Sequence, residues 1–217
     1  MRIALIGNGN MGKLMQLIAK KQIVKVIENF KYCSLEDNLN IDVLIDFSHR
    51  DNLSYICSYA LRNKCKVVIA TTNLNNDDYN LLEELSESVP VMVDSNYSYG
   101  ILILRKIINE NIEYLNNYDI QILEKHHKYK KDSPSGTAKG IEMILDGKGK
   151  KYNTAFIRGG TIRGEHIVSF FGDDEYIEIK HVSQSRKIYA LGALEAAKWL
   201  MCKEKGLFSY QDCIFEK

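Results

Sequence analysis

The chain is 217 residues long, roughly one and a half domains of about 150, so it holds one full hydrophobic core plus an appendage. Lys and Arg total 29 against 28 Asp and Glu, a balance without the basic excess that phosphate-backbone binding requires. Apolar residues at 45% and charged residues at 26% exclude a disordered chain, and no apolar run approaches the ~20 residues of a membrane helix.

The first hundred residues alternate in type. Short β-branched runs at 3–6, 24–27, 43–47, 67–70 and 91–93 read as strands buried on both faces. Between them, Met11, Leu14, Met15 and Ile18 recur at helical spacing, and 52–61 and 77–85 are shorter helical candidates. The crossover between Ile27 and Val43 is too poor in apolar period to read as a helix. Parallel neighbours need crossovers, so the alternation implies a parallel sheet with covering helices. After Gly100 a long helix, 101–115, precedes a strand at 119–123, a charged loop, and a helix starting near Pro134 with proline in its first turn. From Thr154 the pattern turns antiparallel, with strands at 156–158, 166–171 and 176–180. A last helix, 187–203, is expected to bury Ile188, Leu191, Leu194 and Trp199. The domain change is placed near residues 97–100.

The start Met1-Arg2-Ile3-Ala4-Leu5-Ile6-Gly7 is too short in apolar residues for a secretory signal and reads as a first strand. The five cysteines, Cys33, Cys57, Cys65, Cys202 and Cys213, are odd in number and lack a C-x-x-C pair. They read as reduced thiols filling a core, and the protein as cytoplasmic.

Gly7-Asn8-Gly9-Asn10-Met11-Gly12 follows a strand and opens a helix. In a dinucleotide-binding unit the first glycine turns the chain and the second lets a pyrophosphate approach. The third lets helix and strand pack, and phosphate sits on free helix N–H groups. Glu28 ends the next strand about 20 residues on, the place for a carboxylate on ribose hydroxyls. The same glycines also suit a merely structural turn, and Glu28 a solvated surface. Gly7, Gly12 and Lys13 match most of a P-loop, but Leu14 stands where magnesium binding needs a hydroxyl. With no Arg beside Glu28, an unphosphorylated ribose and hence NADH are favoured, although Lys31 tolerates the NADPH phosphate.

Residues 124–140 carry His126 and His127 past a strand end, with Lys128, Lys130 and Lys131 behind them, and then Pro134-Ser135-Gly136-Thr137 opening a helix. A basic loop feeding a helix N-terminus suits a carboxylate. Adjacent histidines in extended chain point to opposite sides and chelate one ion poorly, so no metal is expected. A solvated basic loop is the competing reading in isolation. Joined to the dinucleotide turn, the loop instead supplies the anion clamp and proton donor that hydride transfer to an anionic substrate needs.

The string Glu124-x-His126-His127-x-x-Lys130-x-Asp132-x-Pro134-Ser135-Gly136-Thr137-Ala138 resembles the signature of the 4-hydroxy-tetrahydrodipicolinate reductase (dihydrodipicolinate reductase) family of lysine and diaminopimelate synthesis. Asp46-Phe47-Ser48, Ala70-Thr71-Thr72, Asn96-Tyr97-Ser98-x-Gly100, Arg163-Gly164-Glu165-His166 and residues 187–208 extend the likeness over nearly the whole chain. It departs at Ala70 and Asn73, where the family has glycines, at Ser133 for Ala and at Tyr97 for Phe. The glycine turn is also one residue shorter than in longer members, and the middle region is abbreviated.

The resemblance implies a Rossmann-type doubly wound parallel sheet over 1–98, rejoined by 187–217. A smaller α+β domain over 99–186, carrying a mixed/antiparallel sheet, would bind substrate and build a homotetramer. It further implies NADH- or NADPH-dependent reduction of a cyclic dicarboxylate, with His126 as acid/base and Lys130 as proton donor. His127, Ser135, Gly136 and Thr137 would hold substrate carboxylates. Gly7, Asn8, Gly9, Asn10, Met11, Gly12, Glu28, Ala70, Thr71, Thr72, Asp94, Ser95, Asn96 and Tyr97 would hold cofactor. A non-catalytic NAD(P)-binding module and a P-loop-like nucleotide hydrolase are the competing functions.

Overall fold

The computed structural model describes residues 1–28 and 39–216. Asn29, Lys31, Cys33 and most of the crossover between Ile27 and Val43, with the expectations placed on them, lie outside the described residues. The chain divides into two compact units, 1–97 with 187–217, and 98–186.

The first unit begins β1 (Ile3–Ile6), α1 (Asn10–Ile18), β2 (Ile23–Ile27) and β3 (Val43–Asp46). It continues α2 (Leu53–Asn63), β4 (Lys66–Ile69), α3 (Asn76–Ser86) and β5 (Pro90–Val93). The second unit holds α4 (Tyr99–Asn111), β6 (Asp119–His126), α5 (Gly136–Gly147), β7 (Tyr152–Arg158), β8 (Glu165–Phe171) and β9 (Tyr176–Val182). The chain then completes the first unit with α6 (Lys187–Leu200), β10 (Gly206–Phe208) and α7 (Tyr210–Phe215).

Six strands in the order β10-β5-β4-β3-β1-β2 make one sheet, and every pairing in it is parallel. β1 and β3 are fully buried, as continuous apolar runs require when both faces are covered. β2 lies at an edge and is only partly buried, with Val24 exposed. Leu44, Val67, Ile69 and Val91 pack with the apolar residues of α2 and α3, while α6 packs against β3, β4, β5 and α1.

α6 departs in part from its expected face. Leu194 is buried as expected, together with Ala190, Gly192, Ala193, Ala196, Ala197 and Leu200, whereas Leu191 is half exposed and Ile188 and Trp199 are only partly covered. Small residues let the helix axis lie close to its neighbours, so side-chain size rather than hydrophobicity marks the buried stripe. The helix also stops at Leu200. β10 and α7, the latter opened by a reciprocal Ser209–Asp212 capping box, follow it and are absent from the sequence reading.

The second unit carries a four-stranded mixed sheet, β7-β6-β8-β9. β7 runs parallel to β6, not antiparallel as its sequence suggests, because α5 supplies the crossover between them. β8 pairs antiparallel with both β6 and β9. Ile120, Ile122, Val168 and Phe170 project from one sheet face and pack with apolar residues of α4 and α5. Ser135 caps α5, its hydroxyl accepting from the Ala138 N–H, so the proline precedes the helix instead of lying in its first turn. Cys57 and Cys65 are buried free thiols, but Cys202 is exposed and fills no core. Among the described residues no helix is long and apolar enough to cross a membrane.

Candidate active site

In the first unit, strand order places β1 between β2 and β3, so the chain leaves β1 in one direction and returns on its other side. Ligands of open parallel sheets bind outside the carboxyl ends of strands at such a switch point. Parallel pairing brings the loops after β1, β3, β4 and β5 to that one edge.

The glycine turn has the geometry its spacing demands. Gly7 has φ +94°, and a Cβ there would lie 2.6 Å from the Phe47 carbonyl oxygen. A Cβ on Gly12 would collide with the Gly7 carbonyl oxygen, whereas one on Gly9 would meet nothing within 4 Å. Gly9 is the N-cap of α1 and offers no side-chain acceptor to the first-turn N–H groups. An open side over a helix start fits a pyrophosphate. Glu28 at the end of β2 accepts from Asn8 Nδ2 (2.7 Å), and Asn8 Oδ1 accepts from Gln16 Nε2 (3.0 Å), which orients the carboxylate toward the turn.

Other expected cofactor residues differ in what they expose. Ala70 is partly covered and Thr72 and Ser95 are exposed. Thr71 is buried, its hydroxyl donating to Asp46 Oδ2 (2.6 Å). Asp94 Oδ1 accepts from the Asn96 N–H (3.0 Å), bending the loop after β5. Tyr97 is turned into the core, its hydroxyl donating to the Ile69 carbonyl (2.8 Å), so its side chain fastens the loop to β4. Asp46 is fully buried, and burial raises its pKa despite hydrogen bonds from Ser48 and Thr71.

In the second unit the site is built by strand register. Glu124 and His126 are two apart on β6 and therefore share a face. His166 on β8 stands opposite Glu124, and His181 on β9 opposite His166, while Arg158 on β7 is the partner of His126. Two adjacent rows of pairings thus gather a carboxylate, three imidazoles and a guanidinium on the face that carries the apolar core.

Glu124 is completely buried. Its Oε1 accepts from Arg158 Nη2 (2.7 Å) and from the Ser135 N–H (3.1 Å). Its Oε2 lies 2.8 Å from His126 Nδ1, at ion-pair distance but off the line of a well-aligned hydrogen bond. Burial alone would raise this carboxyl, but His126, Ser135 and Arg158 outweigh it and hold Glu124 far below the ordinary carboxylate range. His166, edge-on to His126 with ring centroids 5.2 Å apart, is pushed down to about 3 by burial and by the neighbouring His126 charge. Its Nε2 meets the Ser135 hydroxyl (3.2 Å). Burial also lowers His181.

Past the strand end, Arg158 Nη2 donates to the Asp132 carbonyl (2.8 Å) and Lys130 Nζ pairs with the Asp132 carboxylate (2.8 Å). His127 is lowered by burial and by the charges of Arg186, His126, Lys130 and Arg158, an electropositive setting suited to an anion. Ser135 and Thr137 are buried and Gly136 exposed at the start of α5. Gly164 (φ +156°) lets the backbone pass beside His126 Nε2, where a Cβ would lie 3.3 Å from that nitrogen.

Glu124, His126 and His166 offer donor atoms within 4.8 Å of one another, a spacing compatible with a metal. Arg158 and the Ser135 N–H already occupy one carboxylate oxygen and the imidazole flanks the other, so the cluster is charge-compensated as it stands. His126, His127 and Lys130 stand out from the motif alone, whereas Arg158, His166 and Arg186 carry no local signal of a place beside them, which only cross-strand pairing and tertiary proximity supply.

Two family models cover the chain. One, described as the dihydrodipicolinate reductase N-terminus, matches residues 1–97; the other, the C-terminus of the same enzyme, matches residues 100–214. A 4-hydroxy-tetrahydrodipicolinate reductase of Rickettsia rickettsii (strain Sheila Smith) is 37% identical, covering 98% of this chain and 98% of its own. That of Brachyspira hyodysenteriae is 36% identical, covering 99% and 100%. Among solved structures, a dipicolinate-bound dihydrodipicolinate reductase from Paenisporosarcina sp. TG-14 superposes with a TM-score of 0.77 over 99% of both chains at 18% identity, a likeness of fold. A probable dehydrogenase from Thermotoga maritima shares the fold more distantly, with a TM-score of 0.60 at 13% identity over 98% of this chain and 92% of its own. None of these likenesses supports the non-catalytic or hydrolase reading.

Proposed function

The chain belongs to the dihydrodipicolinate reductase family, and from that premise we propose how its own residues carry out the NAD(P)H-dependent reduction of 4-hydroxy-tetrahydrodipicolinate. The observation that carries the reading is the compensated cluster of Glu124, His126, Arg158 and the Ser135 N–H, tied through Asp132 to Lys130. Residues 1–98 with 187–217 bind the dinucleotide, and residues 99–186 bind the dicarboxylate.

When bound, the reduced nicotinamide supplies the hydride. Residues 7–12 hold the pyrophosphate on backbone N–H groups, and Glu28 meets the adenosine ribose hydroxyls. The Asn8–Glu28 contact supports this placement and favours NADH over NADPH. Residues 70–72 and 94–97 border the same edge of the sheet.

His127, Ser135, Gly136 and Thr137 orient the substrate carboxylates at the start of α5, where the helix dipole and the charges of Arg158 and Arg186 favour an anion. The dipicolinate named for the Paenisporosarcina structure is a dicarboxylate of this kind. The substrate hydroxyl departs as water to leave a conjugated ring, Lys130 would deliver a proton to the electron density that hydride addition leaves on that ring, and His126 exchanges protons at Nε2, the nitrogen turned away from Glu124. Asp132 holds the Lys130 ammonium in place.

The open face of the second sheet exposes Ile157, Phe171, Tyr176 and Val182. Covering such a face supports assembly through it into a homotetramer. The free thiols of Cys57 and Cys65 support a reducing, cytoplasmic setting.

The test is loss of reduced-nicotinamide absorbance when enzyme and NADH meet the condensation product of pyruvate and aspartate semialdehyde, with NADPH run in parallel. Substrate-dependent oxidation is expected, faster with NADH. Cofactor binding without oxidation would overturn the reaction.

A further inference from the structure

The proton-transfer residues are accompanied by one charged group that the reaction leaves without a task. Glu124 is completely buried, projects on the same face of β6 as His126, and uses its two oxygens for two different things. Oε1 receives Arg158 Nη2 and the Ser135 N–H, joining β7 and the start of α5 to β6. Oε2 faces His126 Nδ1 at 2.8 Å. An ionised carboxylate only accepts hydrogen bonds, so it favours the imidazole form whose hydrogen sits on Nδ1. Nε2, beside Gly164, is then the nitrogen left to exchange a proton.

We propose that Glu124, clamped by Arg158, is the positioning carboxylate of this site, selecting the His126 tautomer with one oxygen while fixing the start of the α5 anion cradle with the other. This rests on the reductase reading above. Glu124 acts through His126 and Ser135 and touches no reacting atom. A buried carboxylate without a task would be costly to keep, since its desolvation must be offset by partners. Here every partner leads to the reaction site: the imidazole, the helix cap, and a guanidinium that also holds the loop bearing Lys130. The neighbouring His166 adds no competing charge, being kept neutral in the physiological range chiefly by burial.

The experiment is a double-mutant cycle between Glu124→Gln and His126→Gln, read as kcat, KM for NADH and dipicolinate affinity. Thermal melting of each variant reports that it is folded. Glu124→Gln keeps the shape and removes the charge. It is expected to lower kcat by roughly 100-fold, the scale of losing one oriented acid–base group, with KM for NADH within two-fold of wild type. In the His126→Gln background the same change is expected to cost kcat less than three-fold, because effects transmitted through one residue do not add. Weaker dipicolinate binding is expected in both backgrounds, through Ser135. A kcat within three-fold of wild type for Glu124→Gln, or equal losses in the two backgrounds, would overturn the proposal.

Imidazole 15N NMR reads the same coupling without turnover, with the His126 signals assigned by their loss in His126→Gln. Hydrogen on Nδ1 is expected in the wild type and a shift toward the other tautomer in Glu124→Gln. Unchanged shifts would overturn the proposal. An inactive wild type whose shifts still respond to Glu124→Gln would overturn the reaction and uphold the coupling.

Discussion

Two buried carboxylates, one in each unit, are shifted in opposite directions by their neighbours. Asp46, at the carboxyl end of β3, is surrounded by the hydroxyls of Ser48 and Thr71 and one backbone N–H, and burial raises its pKa. Glu124, equally buried at the end of β6, has a guanidinium, an imidazole and a backbone N–H on its oxygens and is held far below the ordinary range. Burial sets the size of the electrostatic cost, and the neighbours decide its sign. The two edges follow the same division. The edge proposed for the dinucleotide is built from backbone N–H groups and open space, whereas the edge proposed for proton transfer is built from charged side chains brought together by register.

Removing the charge proposed to react in the second unit should have the largest effect. Lys130→Ala is expected to lower kcat by about 10³-fold, within the range for a positioned acid, with the NADH dissociation constant within two-fold of wild type. Unchanged turnover would end the assignment of proton donor. At the other edge the sensitive quantity is space. Gly12→Ala drives a Cβ into the Gly7 carbonyl. Overpacking of this kind costs about 1–3 kcal/mol, so NADH binding by fluorescence titration should weaken roughly 10- to 100-fold while dipicolinate binding is kept. Equal loss of both ligands would erase the distinction between the edges.

Acid separates them more gently. The unfolded chain takes up a proton on His166 near pH 6.5, which the folded unit refuses until about 3. Stability therefore falls as pH drops through that window, by at most about 1.4 kcal/mol per pH unit for one group. His166→Gln should flatten the decline of the melting temperature between pH 7 and 5. The stabilisation from Glu124 adds to the decline only below the ordinary carboxylate pKa of about 4.3, because its folded-state pKa is depressed. An identical pH dependence in His166→Gln would contradict the buried neutral imidazole. The smallest effect belongs to Asp46→Asn, where the amide oxygen still accepts from Ser48 and the amide nitrogen donates to the Thr71 hydroxyl oxygen. Its unfolding free energy is expected to change by no more than about 1 kcal/mol, the net worth of an ordinary hydrogen bond. A much larger loss would mean that Asp46 carries its charge to a purpose.

Much of the first unit could be read residue by residue, because its signals are local. The strands at 3–6, 43–47 and 67–70 match β1, β3 and β4 to within a residue, since a continuous β-branched run has only one way to be buried on both faces. The glycine turn was legible for the same reason: Gly7 and Gly12 are needed by their own backbone and nearest neighbours. Of the buried stripe of α6 only Leu194 is legible, because most of the rest is alanine and glycine, and small size is a signal only when the neighbour it admits is known. β7 was misread as antiparallel because strand direction depends on the crossover, not on the strand.

By itself the sequence determined the parallel α/β character of the first unit, the turn that opens α1, and the string from Glu124 to Thr137 that identifies the family. Each depends on interactions within a few residues or on a pattern of residue types. Only the tertiary structure decided that Arg158 and His166 join Glu124 and His126, and that Tyr97 and Thr71 spend their hydroxyls on the scaffold. Those assignments follow from which strands lie side by side and in what register, and the free energy that selects a register is shared over the whole buried face.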